Sequence, residues 1–312
     1  NHLDELKMLA QTANVDTLGE ITQKVQRINP AFYIGKGKAQ QVIDQAKLLG
    51  ANVIIFDDEL SPAQIKNYHK LAKKIKVIDR SSLILDIFKK HAKTREAKTQ
   101  VELALCQYLL PRLTRQWTHL ERQMGGVGTR AGMGETQIEV DRRLIRDKIS
   151  KLKSDLTKIE SERTTQSQNR VNEFRVALVG YTNAGKSTLF NSLTGNNVYV
   201  KNQLFATLDT TVRKLKLNKK HQVLISDTVG FIRKLPHNLV ASFKSTLKEL
   251  LEANHILIVL DASSKIIDEH LETISQVLNE LGANKIPKSY IFNKIDLVED
   301  ENDIKKLKSN YR

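Results

Sequence analysis

A single cysteine, Cys106, stands in the 312 residues, so no internal disulfide framework can staple the chain. Its neighbours Leu105 and Leu109 are apolar, which predicts a packed thiol rather than a nucleophile. No apolar run reaches the length of about 18 residues that a membrane helix needs, and no lipidation motif or amphipathic membrane helix is evident. The opening residues, NHLDELKMLA, carry acids and lack the layout of a signal peptide. These absences predict a cytoplasmic protein without a membrane span, and a monomer is expected. The eight histidines are scattered, with no metal-ligand spacing. Acid is also in short supply: 35 acidic residues face 50 basic ones, a net charge of +15. The parts before and after residue 174 are both basic, so the excess is not a tail, and it favours a polyanionic partner. Length and composition fit a globular protein of two or three domains.

What is present centres on Gly180-Tyr181-Thr182-Asn183-Ala184-Gly185-Lys186-Ser187, a G-x-x-x-x-G-K-S phosphate loop followed by Thr188. The apolar run Phe174 to Val179 leads in and a helical pattern from Ser187 to Leu193 leads out, the strand-to-helix context that such a loop needs. Gly180 and Gly185 let backbone N–H groups turn toward phosphate oxygens, Lys186 is placed to reach the β- and γ-phosphates, and the Ser187 hydroxyl to ligate Mg²⁺. Then come Phe205-Ala206-Thr207-Leu208-Asp209, continuing into Thr210 and Thr211, a threonine-rich stretch whose hydroxyl and carbonyl could complete the metal's coordination. The strand Val223 to Ile225 ends in Asp227-Thr228-Val229-Gly230, a D-x-x-G in which Asp227 can hold Mg²⁺ through water and the Gly230 N–H can meet the γ-phosphate. Ile256 to Leu260 and Tyr290 to Phe292 are further strands, and the second runs into Asn293-Lys294-Ile295-Asp296. A carboxylate at Asp296 accepts from the ring N–H and exocyclic amine of guanine, whereas adenine would leave it facing a lone pair. Guanine, and GTP as substrate, is the base and nucleotide expected. Lys186, Thr207 and Gly230 are the candidate catalytic groups. Phe231 follows the D-x-x-G where many GTPases carry a water-orienting glutamine, so slow intrinsic hydrolysis is expected, with an outside stimulus. Asn183 stands where some related GTPases hold K⁺; an asparagine that merely tolerates a turn is the other reading.

The first part, residues 1 to 80, alternates short apolar runs with amphipathic segments. Val53 to Phe56 and Val77 to Asp79 read as strands, Ala39 to Leu49 as a helix, and Ser61-Pro62 as the start of another. A small α/β domain with a parallel sheet is expected. Gly35-Lys36-Gly37-Lys38 reads as a turn that could hold a second phosphate or could be only a turn. From 81 to 170 the period is helical, with stripes from Val101 to Met124 and from Ile138 to Ile159, which predicts two long antiparallel helices, the first kinked at Pro111. Five glycines lie between them in residues 125 to 135, and residues 111 to 153 hold ten basic against five acidic residues. A stiff arm with a pliable basic tip suits RNA, with Gly125, Gly126, Gly128, Arg130, Gly132, Arg142 and Arg143 as candidate contacts; a solvated connector is the alternative. Residues 161 to 173 are polar and read as a linker into the nucleotide domain, 171 to 312. The fold class expected is α/β throughout, a P-loop GTPase domain preceded by the small α/β domain and the hairpin.

GYTNAGKST (180–188), FATLD (205–209), DTVGFIRKLPHNLVASFKSTL (227–247), NKID (293–296), YIGKGK (33–38) and above all GGVGTRAGMGETQIEVDRR (125–143) make the chain resemble the HflX family of translation-factor-related GTPases over nearly its full length. The resemblance implies a GTPase that binds the large ribosomal subunit and its rRNA, can split ribosomes, often under stress, and reaches with its arm toward the peptidyl-transferase centre. It also implies Ser187 and Thr207 as magnesium ligands. Two departures stand out. Thr210 occupies a position that is usually proline in the family, so Thr210 or Thr211 could compete with Thr207. The chain also ends at Arg312, shortly after Asp296, without the Ser-Ala loop that contacts the guanine O6, which reads as a truncation expected to weaken affinity. Two other readings remain: an RNA-binding assembly or remodelling protein with GTP as a structural ligand, and a tRNA-modification GTPase.

Overall fold

The computed structural model describes residues 2–113, 137–167, 173–195, 203–218, 221–236, 239 and 248–311. The chain divides into two compact units, Asn1–Ile87 with Val101–Thr157, and Phe88–Gln100 with Lys158–Arg312.

The first unit holds helix α1 (His2–Thr12), α2 (Lys36–Leu48), strand β1 (Val53–Phe56), α3 (Pro62–Ala72) and β2 (Lys76–Asp79). The continuous apolar run VIIF pairs in parallel with β2, Ile54 opposite Val77 and Ile55 opposite Ile78. Helix α2 buries Ala39, Val42, Ile43 and Ala46, three and four residues apart on one stripe, and they join Leu60, Ile65, Tyr68 and Val77 in a single core. Helix α3 starts with a complete capping box: Ser61 accepts from the Gln64 N–H and the Gln64 side chain accepts from the Ser61 N–H. Lys36, Gly37 and Lys38 form the first turn of α2, with Gly35 at its N-cap, so the expected glycine-lysine turn is the start of a helix.

Helix α4 (Arg80–His91) passes into the second unit, and α5 (Arg95–Leu109) returns to the first. Pro111 does not kink α5. The helix ends at Leu109 and a 3₁₀ turn, Leu110–Arg112, carries the proline where its missing N–H costs little. Helix α6 (Gln137–Ser167) shares a core with α5 and with Leu113 just beyond the 3₁₀ turn, formed by Leu103, Cys106, Leu113, Ile145 and Leu152, so Cys106 is a core thiol, and burial pushes its pKa up. The polar stretch expected as a linker from 161 is helical as far as Ser167. The glycine-rich tip, with Gly125, Gly126, Gly128, Arg130 and Gly132, lies outside the described residues; Arg142 and Arg143 are exposed on α6.

The second unit continues with β3 (Arg175–Gly180), α7 (Lys186–Thr194), β4 (Thr211–Lys216), β5 (Gln222–Asp227), α8 (Lys248–Leu251), β6 (His255–Asp261), α9 (Ile267–Glu280), β7 (Lys288–Asn293) and α10 (Glu301–Asn310). Its five strands run in the order β4-β5-β3-β6-β7, all parallel except the edge strand β4. Ala177, Leu178 and Val179 of β3 are fully buried, and Phe190 of α7 packs with Leu178, Ile225 and Val259. Because β3 is flanked by β5 and β6, its carboxyl end opens where the strand order reverses, the position at which α/β sheets bind ligands.

Candidate active site

The phosphate loop leaves β3 at this point. Gly185 has φ +93°, and a Cβ there would lie 2.1 Å from Asn293 Nδ2. Only glycine fits, because Asn293 donates to the Ala184 carbonyl at 2.9 Å and holds the loop from the end of β7. Asn183 also takes a left-handed φ, +61°, which asparagine tolerates. Lys186, buried, points back into the loop and donates to the carbonyls of Gly180 (3.1 Å) and Tyr181 (2.9 Å). Burial pushes its ammonium down to about 8, against the opposing pull of Asp227.

Ser187, one residue on, meets the other two motifs. Its Oγ lies 2.7 Å from Thr207 Oγ1 and donates to Asp227 Oδ2 at 2.6 Å. Asp227 is fully buried, and burial raises its pKa against the lowering effect of Lys186 and Ser187. Its other oxygen, Oδ1, has no hydrogen-bond partner among the described residues. Two hydroxyls and a carboxylate with a free buried oxygen form an all-oxygen donor set of the kind that a hard divalent cation such as Mg²⁺ takes, beside a phosphate cradle. Thr228 donates to the Leu178 carbonyl at 2.7 Å and so locks the D-x-x-G strand end onto β3. A Cβ on Gly230 would stand 2.7 Å from Thr182 Cα and 3.0 Å from Lys186 Nζ, so this glycine keeps the backbone against the loop. Phe231 is buried and tied to the loop by its backbone, N–H to Gly180 O and C=O from Thr182 N–H.

Thr182, Asn183, Gly185, Lys186, Ser187, Thr188, Phe205, Ala206, Thr207, Thr228 and Gly230 line one cleft, together with Gln203, which carries no motif and gave no signal. Gly180, Tyr181, Ala184, Leu208, Asp209, Asp227 and Val229 lie outside this lining. Tyr181 stacks on His270 of α9 (3.8 Å between centroids, 19° between planes), and its hydroxyl accepts from the Arg233 N–H. Asp209 turns away from the cleft to accept from the Lys93 N–H and the Thr94 hydroxyl. In the base-reading motif, Lys294 donates to Asp261 at 2.7 Å. Burial pushes the Asp261 carboxyl up, but the bonds from Lys294 and Ser263 outweigh it and hold it below its usual value. Ile295 and Asp296 lie exposed in a 3₁₀ turn. Asp261, His91 and Thr94 were not legible as site residues because their partners are far away in sequence.

A glycine-rich phosphate loop, a D-x-x-G strand end and an N-K-x-D turn, brought to one end of a mostly parallel sheet, define a P-loop GTPase. Three family models match in order: a GTP-binding GTPase N-terminal region over residues 1–89, a GTP-binding GTPase middle region over 91–170 and a 50S ribosome-binding GTPase over 175–294. The GTPase HflX of Flavobacterium psychrophilum is 50% identical over 295 residues, covering 95% of this chain and 71% of that protein. The GTPase HflX of Escherichia coli K12 is 47% identical over 300 residues, covering 96% and 70%. A crystal structure of SsGBP in complex with GDP superposes with a TM-score of 0.54 at 27% identity, covering 99% of this chain and 86% of that one. The chain belongs to the HflX family of GTPases. No helix among the described residues is long and apolar enough to cross a membrane.

Proposed function

We propose that this GTPase binds the large ribosomal subunit in its GTP-bound form, splits or recycles stalled ribosomes in the cytoplasm, and lets go on hydrolysis. The observation that carries the reading is the convergence of Ser187, Thr207 and Asp227. Thr207 belongs to the segment between α7 and β4 and stands 2.7 Å from Ser187, so metal and γ-phosphate bound there would tighten that segment and turn nucleotide state into segment position. The match to a 50S ribosome-binding GTPase model and the basic arm supply the partner.

In this account residues 1–80 are an accessory α/β domain, 81–170 the arm whose Gly125–Gly132 tip, Arg142 and Arg143 meet rRNA, and 171–312 the motor. Loop N–H groups from Tyr181 to Thr188 and the start of α7 cradle the phosphates, and Lys186 exchanges its two carbonyls for β- and γ-oxygens. Ser187 and Thr207 would hold Mg²⁺, with Asp227 behind them, and the ion would supply positive charge to offset the charge that develops on the phosphates. The Gly230 N–H faces the γ-phosphate, and Asp296 reads the guanine N–H groups. Phe231 offers no group to orient water, so the intrinsic rate is slow and the ribosome stimulates it. Asn183 can carry K⁺ beside the phosphates; equal hydrolysis rates in KCl and NaCl would remove that role.

Substitution of Lys186 by alanine tests the reading. The variant is expected to lose the GTP dependence of large-subunit binding along with hydrolysis, whereas binding that still follows GTP would contradict it. A protein using GTP only as a structural ligand would bind subunits equally with any guanine nucleotide.

A further inference from the structure

The stretch that carries Thr207 is pinned on both sides to one place, the junction between α4 and α5. Upstream, Phe205 has φ +56°, a left-handed conformation unfavourable for a bulky residue. Three contacts hold it there. Its N–H donates to Thr182 Oγ1 at 2.9 Å, its carbonyl lies 2.8 Å from His91 Nδ1, and its buried ring meets Phe88 edge-on at 4.7 Å. A carbonyl can only accept, so the His91 proton sits on Nδ1. Downstream, the Asp209 carboxylate accepts from the Lys93 N–H at 3.1 Å and from the Thr94 hydroxyl. Thr94 is itself the cap of α5, its Oγ1 accepting the Ala97 N–H at 3.1 Å, so the carboxylate also faces the positive end of that helix. A strained residue persists only where its surroundings over-determine it, and here they do so two residues from a metal-site hydroxyl.

We propose that His91, Thr94 and Asp209 are positioning residues: they fix the segment at Phe205 and at Asp209, and thereby hold the Thr207 hydroxyl beside Ser187 in the form that receives metal and γ-phosphate. This rests on the reading of Thr207 as a magnesium ligand. The anchor acts on the triphosphate state alone, because GDP has no γ-phosphate for the segment to close over.

Calorimetry with a non-hydrolysable GTP analogue and with GDP, each with and without Mg²⁺, tests it on the full chain. Asp209→Ala is expected to bind the analogue roughly tenfold more weakly, the effect of losing charge-assisted bonds, with GDP affinity within about twofold of the parent. Thr94→Ala is expected to do the same more mildly, Thr94→Ser to restore binding, and the double variant to be no worse than Asp209→Ala alone. Retained GDP binding reports that the variants fold. Analogue affinity that is unchanged, that falls in step with GDP, or that falls multiplicatively in the double variant would overturn the anchor. Parent protein whose analogue affinity ignores Mg²⁺ would overturn the metal reading beneath it, a result distinguishable from unchanged variants.

Discussion

Asn293, Gly185 and Gly230 show how narrowly single residues set this site. The 2.1 Å approach of Asn293 Nδ2 to the place of a Gly185 Cβ leaves no room for a side chain, and the bond from Asn293 to Ala184 links base-reading turn and phosphate loop. Gly230→Ala forces the D-x-x-G backbone off Thr182 and Lys186, so hydrolysis is expected to fall about 100-fold, the loss of one transition-state donor, measured as single-turnover phosphate release. Asp296→Asn exchanges an acceptor pair for a carbonyl and an amide. GTP affinity is expected to drop roughly 100-fold, and xanthosine triphosphate, whose 2-carbonyl accepts from the amide, to bind better than GTP in a competition assay.

At the scale of elements, strands and helices follow residue pattern where the pattern is local. Val53 to Phe56 and the Ser61-Pro62 start are strand and helix start as the residues imply, because an apolar β-branched run and a cap-then-proline pair need no distant partner. Strand β4, Thr211–Lys216, carried no such mark: its residues alternate weakly, and only pairing with β5 makes it a strand. The phosphate loop, D-x-x-G and N-K-x-D were legible because their spacing encodes a mechanism, whereas the turn of Asp209 away from the cleft to Thr94 depends on a contact 115 residues apart in sequence. Phe190 of α7, fully buried against β3 and β5, is expected to cost about 3–5 kcal/mol as Phe190→Ala, read by chemical denaturation of the second unit. In the first unit, Tyr68 donates to the Phe32 carbonyl and burial raises its pKa, so the folded form keeps the proton that the unfolded chain releases near pH 10. Stability from this group is full below that pH and is lost as pH rises further. Tyr68→Phe is expected to flatten the decline of melting temperature above pH 10, as followed by circular dichroism.

For the whole molecule, charge and nucleotide are the two controls. An excess of fifteen positive charges draws the chain to a polyanion, and counterion release makes that attraction fall with salt. Guanine nucleotide then decides whether attraction becomes a specific complex. The direct measurement is co-sedimentation of the protein with purified large ribosomal subunits in a non-hydrolysable GTP analogue, in GDP and in the matching adenosine triphosphate analogue. The protein is expected in the subunit fraction with the guanosine triphosphate analogue and to leave it with GDP or the adenosine compound. Equal recovery in all three would contradict the account.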